Sequence, residues 1–288
     1  MLYDNIINRQ IISEVQGLLE EFSLAGKIAL ITGAGRGLGR AIASVFAEAG
    51  ADIVATSRTI KELEVTALEV EKHGRKCLVA PADVMDAGQI KSVVEKAIST
   101  FGKVDILVNN AGVGFTKPMI VTPGLEKLHI AQIVQDYTVP ATDRQWDIVW
   151  DTNVKSVMSL VNEIVPLMIK GGGGKIINLS SVGAKRYTGS QGIYPAAKAA
   201  VEAITRGMAI ELARFNINVN AIGPGVFLTD MTGHITADET VGGHFLKSVP
   251  LRRYGNPREV GLLALYLASP ASDYMTGQVI YIDGGYAI

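Results

Sequence analysis

From Lys27 onward, short apolar runs alternate with longer stretches of helical periodicity. "KIALITG" is followed by "GRAIASVFAEAG", "DIVATS" by "IKELEVTALEVEKHG", and "CLVAPAD" by "AGQIKSVVEKAISTFG". Then come "VDILVNN", "KIINLSS", a helix from Tyr194 to about Arg214, "NVNAIGP", "REVGLLALYLAS" and "QVIYIDGG". The strand runs are continuously apolar rather than alternating, so each is covered on both faces. That predicts a parallel sheet between two layers of helices. The class is α/β: one domain with a seven-stranded, doubly wound parallel sheet.

Three stretches break the rhythm. Residues 1–23 form an extension in which Ile7, Ile11, Val15, Leu18 and Phe22 recur at helical spacing. That predicts a helix packed on the body or on a neighbouring subunit. The main domain then runs over 24–288. Residues 117–143 are a long connection after the fourth strand, and 225–250 are another between a strand and a helix; connections of that length are often functional. "GGGG" at 171–174 is a turn, too short for a domain linker.

Composition narrows the classes further. The 288 residues are 48% hydrophobic and 19% charged, with a formal net charge of −1. A sizeable core is affordable, and nothing draws the chain toward nucleic acid or anionic membranes. Cys77 is the single cysteine, in a strand, and reads as a packed thiol. The first residues lack a signal peptide's basic start and apolar centre, and no run reaches the ~20 apolar residues of a membrane helix. A cytoplasmic protein is expected. His73, His129, His234 and His244 stand at no metal-ligand spacing, so no metal site is expected.

"ALITGAGRGLGRAIA" follows a strand and opens a helix. Gly33, Gly37 and Gly39 allow a tight turn, and the backbone N–H groups around Leu38 can approach a phosphate at the helix N-terminus. Where a dinucleotide fold selective for NAD places an acid, after the second strand, this chain has Ser57 and Arg58. An arginine pairs with a 2′-phosphate, and Arg36 adds a second positive charge, so NADP is expected over NAD. Asp83 and Val84 end the third strand, where an adenine edge would lie. Asn109, Asn110, Ala111 and Gly112 end the fourth, again at carboxyl ends of parallel strands.

In "GIYPAAKAAVEAI", Tyr194 and Lys198 are four residues apart and share a helix face. Pro195 is tolerated because the helix is just starting. Taken in order, "TGAGRGLG" (32–39), "NNAG" (109–112), "NVKS" (153–156), "NLSS" (178–181), "YPAAK" (194–198), "GPG" with Thr229, and the terminal "DGGY" make residues 24–288 resemble the short-chain dehydrogenase/reductase family. The resemblance implies a Rossmann fold and a catalytic set of Asn153, Ser181, Tyr194 and Lys198. Ser180 competes for the serine role; the family's usual spacing from the tyrosine selects Ser181. Pro224, Gly225, Val226 and Thr229 match positions flanking the nicotinamide, and Lys198 also contacts its ribose in the family. A homotetramer and a substrate lid over 225–250 are further implications of the resemblance.

Ketone reduction needs a hydride at carbon and a proton at oxygen. An unperturbed tyrosine titrates near 10, and a lysine ammonium one turn along should lower that value. Ser181 would hold the substrate oxygen. By resemblance, Asn153 helps hold a water chain from Lys198 to solvent. "FSLAGK", "ITRGMAIELARFNINVNAIGPG" and "PLRRYGNPREV" are most similar to the gluconate 5-dehydrogenase branch, whose substrates are sugar acids and polyols. That branch often carries an arginine pair after NNAG; here Phe115, Thr116 and Lys117 follow, so Lys117, Lys185 or Arg186 would have to serve as anion partner. The alternatives are a 3-oxoacyl-(acyl carrier protein) reductase and a non-catalytic NADP-binding or scaffold protein.

Overall fold

The computed structural model describes residues 20–115, 117–120, 123–124, 140–187, 192–233 and 239–288. Most of the predicted N-terminal helix and of the 117–143 connection lies outside the described residues. Phe22, at the end of the extension, does pack on the body, its ring centroid 6.3 Å from that of Tyr266.

Seven strands form: β1 (Ile28–Thr32), β2 (Asp52–Thr56), β3 (Cys77–Val79), β4 (Ile106–Asn109), β5 (Gly174–Leu179), β6 (Ile217–Pro224) and β7 (Val279–Ile282). They make one sheet in the order β3-β2-β1-β4-β5-β6-β7, every pair parallel. The helices are α1 (Gly37–Glu48), α2 (Ile60–Glu71), α3 (Ala87–Phe101), α4 (Asp143–Trp150), α5 (Ser156–Lys170), α6 (Tyr194–Leu212), α7 (Glu239–Ser248) and α8 (Pro257–Ala268). None of them is long and apolar enough to cross a membrane.

Successive strand residues point to opposite faces, which divides the core in two. Ala29 and Ile31 of β1 join Ile42 and Phe46 of α1 and Val260 and Ala264 of α8 on one face. Ile28 and Leu30 join Val93 of α3, Leu160 and Ile164 of α5 and Met208 of α6 on the other. Burying a side chain such as Phe46 or Ile164, both fully inaccessible, stabilises the fold by about 1.5–3 kcal/mol each. Cys77 lies on the edge strand β3, and burial pushes its thiol up to about 12, which leaves it unreactive.

The strand order turns outward between β1 and β4, so their connections leave in opposite directions and open a crevice at the carboxyl ends. Gly33, Asn109–Gly112, Ser180–Ser181 and Pro224 all lie along that edge. One departure from regular structure also faces it. Asp151–Lys155 is a π-helical turn joining α4 to α5. Such a turn carries an extra residue in the helix and re-aims its side chains, here Asn153, which is 1% exposed. Of the candidate lid, 234–238 lie outside the described residues. α7 packs on the chain's end, with the Phe245 and Tyr286 ring centroids 5.0 Å apart.

Candidate active site

β1 ends in a loop whose glycines are required by contact. Gly33 and Gly37 have φ of 63° and 54°, a region that favours glycine. A Cβ on Gly39 would sit 2.3 Å from the Gly33 carbonyl oxygen and 2.5 Å from Asn110 Nδ2. Leu38 packs against the core. Arg36 occupies the N-cap of α1 and supplies no side-chain cap, so the first N–H groups of the helix lack a side-chain cap among the described residues. Uncapped N–H groups at the positive end of a helix dipole are suited to an anion. Thr229 stands against this turn, its Cγ2 3.4 Å from where a Gly37 Cβ would be.

The neighbouring strand fixes the loop. Thr32 Oγ1 accepts from Asn110 N (3.0 Å) and Ala111 N (2.9 Å). Asn110 Nδ2 donates to the Thr32 carbonyl at 2.8 Å and the Gly33 carbonyl at 3.1 Å. The side chain of Asn110 is therefore a brace for the glycine loop. Asn109 donates to Asn178 Oδ1 (2.9 Å), and Asn178 to Thr205 on α6 (2.9 Å), continuing the brace across β5.

At the end of β2, Ser57 Oγ is buried and has no hydrogen-bond partner among the described residues. Arg58 is exposed and makes no ion pair among the described residues. Arg36 is already engaged, 3.4 Å from Asp230 and 3.8 Å from Glu62. Glu62 is a participant that sequence reasoning missed: a Cβ on Gly35 would lie 2.9 Å from Glu62 Cβ and 2.8 Å from Ser57 Oγ. Contrary to the sequence reading, β3 ends at Val79, and Asp83 and Val84 lie in the connection that follows it; Asp83 accepts from Met85 N at 3.0 Å and Val84 is buried beside it. At the end of β6, Pro224 leads to Gly225, whose N–H donates to the Ile282 carbonyl (2.9 Å), and to Val226. The orphaned Ser57 hydroxyl, the uncapped α1 and the glycine cradle fit a dinucleotide.

The catalytic candidates converge on the same edge. Lys198 is 3% exposed; its Nζ donates to the Leu179 carbonyl at 2.8 Å and lies 5.7 Å from the centroid of the Tyr194 ring. Ser181 caps a short 3₁₀ turn, accepting from Gly183 N at 3.1 Å, and hydrogen-bonds Tyr194. Asn153 Nδ2 donates to the carbonyls of Val113 and Val149, each at 2.8 Å. Its Oδ1 is buried without a partner among the described residues. A Cβ on Gly112 would be 2.7 Å from that Oδ1 and 3.3 Å from Lys198 Nζ, so Gly112 leaves a gap between them. Gly114 runs against the tyrosine ring, where a Cβ would lie 3.1 Å from Cδ2.

One expectation changes here. Burial pushes the Tyr194 phenol above its ordinary value, with the Ser181 hydrogen bond a smaller opposing effect. Burial likewise pulls Lys198 down to about 8. Desolvation of the buried phenol outweighs the acidifying effect that the spacing predicts, so the net shift of Tyr194 is upward. A tyrosine that keeps its proton is suited to donate it. The choice between the serines also has a physical reason: Ser180 Oγ is committed to Glu202 Oε1, to which it donates at 2.7 Å.

The anion partners expected for a substrate are mostly committed. Arg186 donates to the Tyr286 carbonyl and stacks 4.2 Å from that residue's ring centroid. Lys185 Nζ lies 5.2 Å from the Tyr281 ring centroid. Thr116 lies outside the described residues.

A family model described as enoyl-(acyl carrier protein) reductase matches residues 33–287. The chain is 40% identical, over 93% of its length and 98% of the relative's, to a 2-dehydro-3-deoxy-D-gluconate 5-dehydrogenase of Dickeya dadantii. It is 39% identical, over 92% of its length and 99% of the relative's, to a 3-oxoacyl-[acyl-carrier-protein] reductase of Thermotoga maritima. A gluconate 5-dehydrogenase from Burkholderia cenocepacia, solved in complex with NADP and tartrate, superposes with a TM-score of 0.82. It is 32% identical, with 93% of this chain and 98% of that one covered. With the parallel sheet, the glycine cradle and the Ser181–Tyr194–Lys198 cluster at its carboxyl edge, these likenesses establish that the chain belongs to the short-chain dehydrogenase/reductase family of oxidoreductases, enzymes that use a nicotinamide dinucleotide.

Proposed function

We propose that the chain interconverts a secondary alcohol and a ketone on a sugar acid or polyol, with NADP(H) as its cofactor. The observation that carries the reading is the convergence of Ser181, Tyr194 and a buried Lys198 beside an uncapped α1. The nicotinamide, when bound, supplies or accepts hydride at the carbonyl carbon. Ser181 holds the substrate oxygen by a hydrogen bond that strengthens as negative charge develops there. Tyr194 gives its proton to that oxygen, and in the reverse direction takes it back. The ammonium of Lys198 compensates the phenolate left behind. Lys198 then reprotonates the phenolate, and Asn153 Oδ1, aimed at the gap left by Gly112, is placed to hold a water that returns a proton to Lys198.

Gly33, Gly37, Leu38 and Gly39 would hold the pyrophosphate, Asp83, Val84 and the Asn110–Gly112 turn the adenosine side, and Pro224, Gly225, Val226 and Thr229 the nicotinamide. NADP is favoured by the unpaired Arg58 and the orphaned Ser57 hydroxyl, with Arg36 able to exchange Asp230 or Glu62 for a phosphate. A charge-assisted hydrogen bond is worth about 1.5–3 kcal/mol, so Arg58→Ala should weaken NADPH about 10- to 100-fold and leave NADH almost unchanged. Fluorescence titration with both cofactors measures this; equal losses for the two would refute the assignment of Arg58.

Names of the relatives point to sugar acids and to acyl-carrier substrates alike. The basic surface an acidic carrier would need is thin here: Lys175, beside the glycine run, is committed to Asp273 at 2.7 Å and to Asn218 at 3.1 Å. That places the sugar-acid reading first. The test is a screen of polyols, sugar acids and β-keto thioesters with both cofactors, following the absorbance of reduced nicotinamide. Turnover of sugar acids or polyols with NADP(H) is expected. Selective reduction of an acetoacetyl thioester would replace this reading with the acyl-carrier one, and tight cofactor binding with no turnover at all would favour a scaffold. Trp146 and Trp150, one turn apart on α4 and 40% and 37% exposed, support self-assembly through that face.

A further inference from the structure

Beneath Lys198 lies a buried polar network that the proton-transfer scheme does not use. Glu202 follows Lys198 by one turn of α6 and is only 8% exposed. Its Oε1 accepts two hydroxyl hydrogen bonds, from Ser180 at the end of β5 (2.7 Å) and from Tyr281 on β7 (2.6 Å). Ser180 Oγ also lies 3.3 Å from the Lys198 carbonyl oxygen. The residue before it, Leu179, accepts from Lys198 Nζ, and the residue after it, Ser181, meets Tyr194. Three consecutive residues, the last of β5 and the two that follow it, thus hold the two ends of Lys198 and the tyrosine hydroxyl, and Glu202 fixes the middle one.

Tyr281 reaches Glu202 only because β6 has no side chain in the way. Gly223 pairs with Tyr281 across the sheet, and a Cβ on it would lie 2.5 Å from Tyr281 Cδ1. Burial, then the hydrogen bond to Glu202, raises the Tyr281 phenol above its ordinary value, so it remains a donor. The charged side chains around the network are Arg206, one turn beyond Glu202 on α6, and Lys185, above the Tyr281 ring. Glu202 makes no ion pair among the described residues. A buried carboxylate without one costs several kcal/mol unless hydroxyl donors satisfy it. An apolar residue would pack there at lower cost, so the carboxylate contributes position.

We infer that Glu202 is a positioning residue: through Ser180 it sets the register of α6 against β5, and so holds Lys198 Nζ and the Tyr194–Ser181 contact in the arrangement used for proton transfer. Ser180 and Tyr281 are the two arms of this device. The inference rests on the reading of Tyr194 and Lys198 as the proton-transfer pair.

The experiment compares Glu202→Leu, which removes the acceptor, with Glu202→Gln, which keeps an oxygen there, in the full chain. The readouts are kcat, KM, the Kd of NADPH and the melting temperature, with Tyr194→Phe as reference. Glu202→Leu should lose about 10- to 30-fold in kcat while KM and the Kd of NADPH stay within about twofold; a 1.4 kcal/mol misplacement cost corresponds to tenfold. Glu202→Gln should recover kcat to within about threefold of the parent. A Leu variant with a lowered melting temperature but parental kcat would overturn the inference, and so would a Gln variant as impaired as Leu. If Glu202→Leu does not fold, Ser180→Ala severs the same link and should lower kcat about 3- to 10-fold; parental kcat there is equally decisive against it. A fully active Tyr194→Phe would instead remove the proton-transfer reading itself.

Discussion

Tyr194→Phe should lower kcat by about 10³-fold and leave the affinity for NADPH within about twofold of the parent. The substitution deletes one oxygen and keeps the ring that packs against Gly114, so the fold loses little. What it removes is the proton donor at the carbonyl oxygen. General acid–base groups contribute about 10²–10⁴ in rate, and no other hydroxyl takes over: Ser181 has a single proton to offer, and Ser180 is turned to Glu202. Steady-state kinetics together with a fluorescence titration of NADPH separate the outcomes. Loss of cofactor binding along with turnover would show that the tyrosine is structural, and substantial residual turnover would show that another group supplies the proton.

The second large effect is expected at Gly39, on binding rather than chemistry. Gly39→Ala places a methyl 2.3 Å from the Gly33 carbonyl oxygen and 2.5 Å from Asn110 Nδ2. Neither neighbour is free to yield. Gly33 holds a φ of 63°, and Asn110 Nδ2 is bonded to two carbonyls of the same turn. The loop must open, which costs at least the ~1–3 kcal/mol of an overpacked site and disperses the N–H groups that a phosphate needs. We expect a loss of at least about 100-fold in NADPH affinity, read by titration. The melting temperature should fall by about 2–4 °C per kcal/mol. A variant that binds NADPH as the parent does would mean that the pyrophosphate is not held at this turn. Tyr194→Phe and Gly39→Ala thus form complementary defects: the first binds without turning over, the second loses binding.

Short-range pattern carried most of the architecture. Continuous apolar runs at β1, β2 and β4, each followed by a helical stretch or a glycine turn, are enough to require parallel strands covered on both faces. All seven strands stand where those runs lie. The glycine loop, the one-turn spacing of Tyr194 and Lys198 and the proline at the start of α6 are likewise local and legible, since backbone sterics and helix geometry act within a few residues.

What the chain could not state by itself is which groups lose water and which partners they find in exchange. Desolvation raises Tyr194 and draws Lys198 down to about 8, outweighing the effect that their spacing predicts. Ser180 and Ser181 are neighbours of the same type. Only packing against α6 turns one toward Glu202 and the other toward Tyr194. The π-helical turn that buries Asn153 has no motif of its own, and the contact between Glu202 and Tyr281 joins residues 79 positions apart through a space left by Gly223. Periodicity reports which face of an element meets the core; it does not report which polar atoms meet across elements, because that depends on how far each helix slides along the sheet once the core has closed.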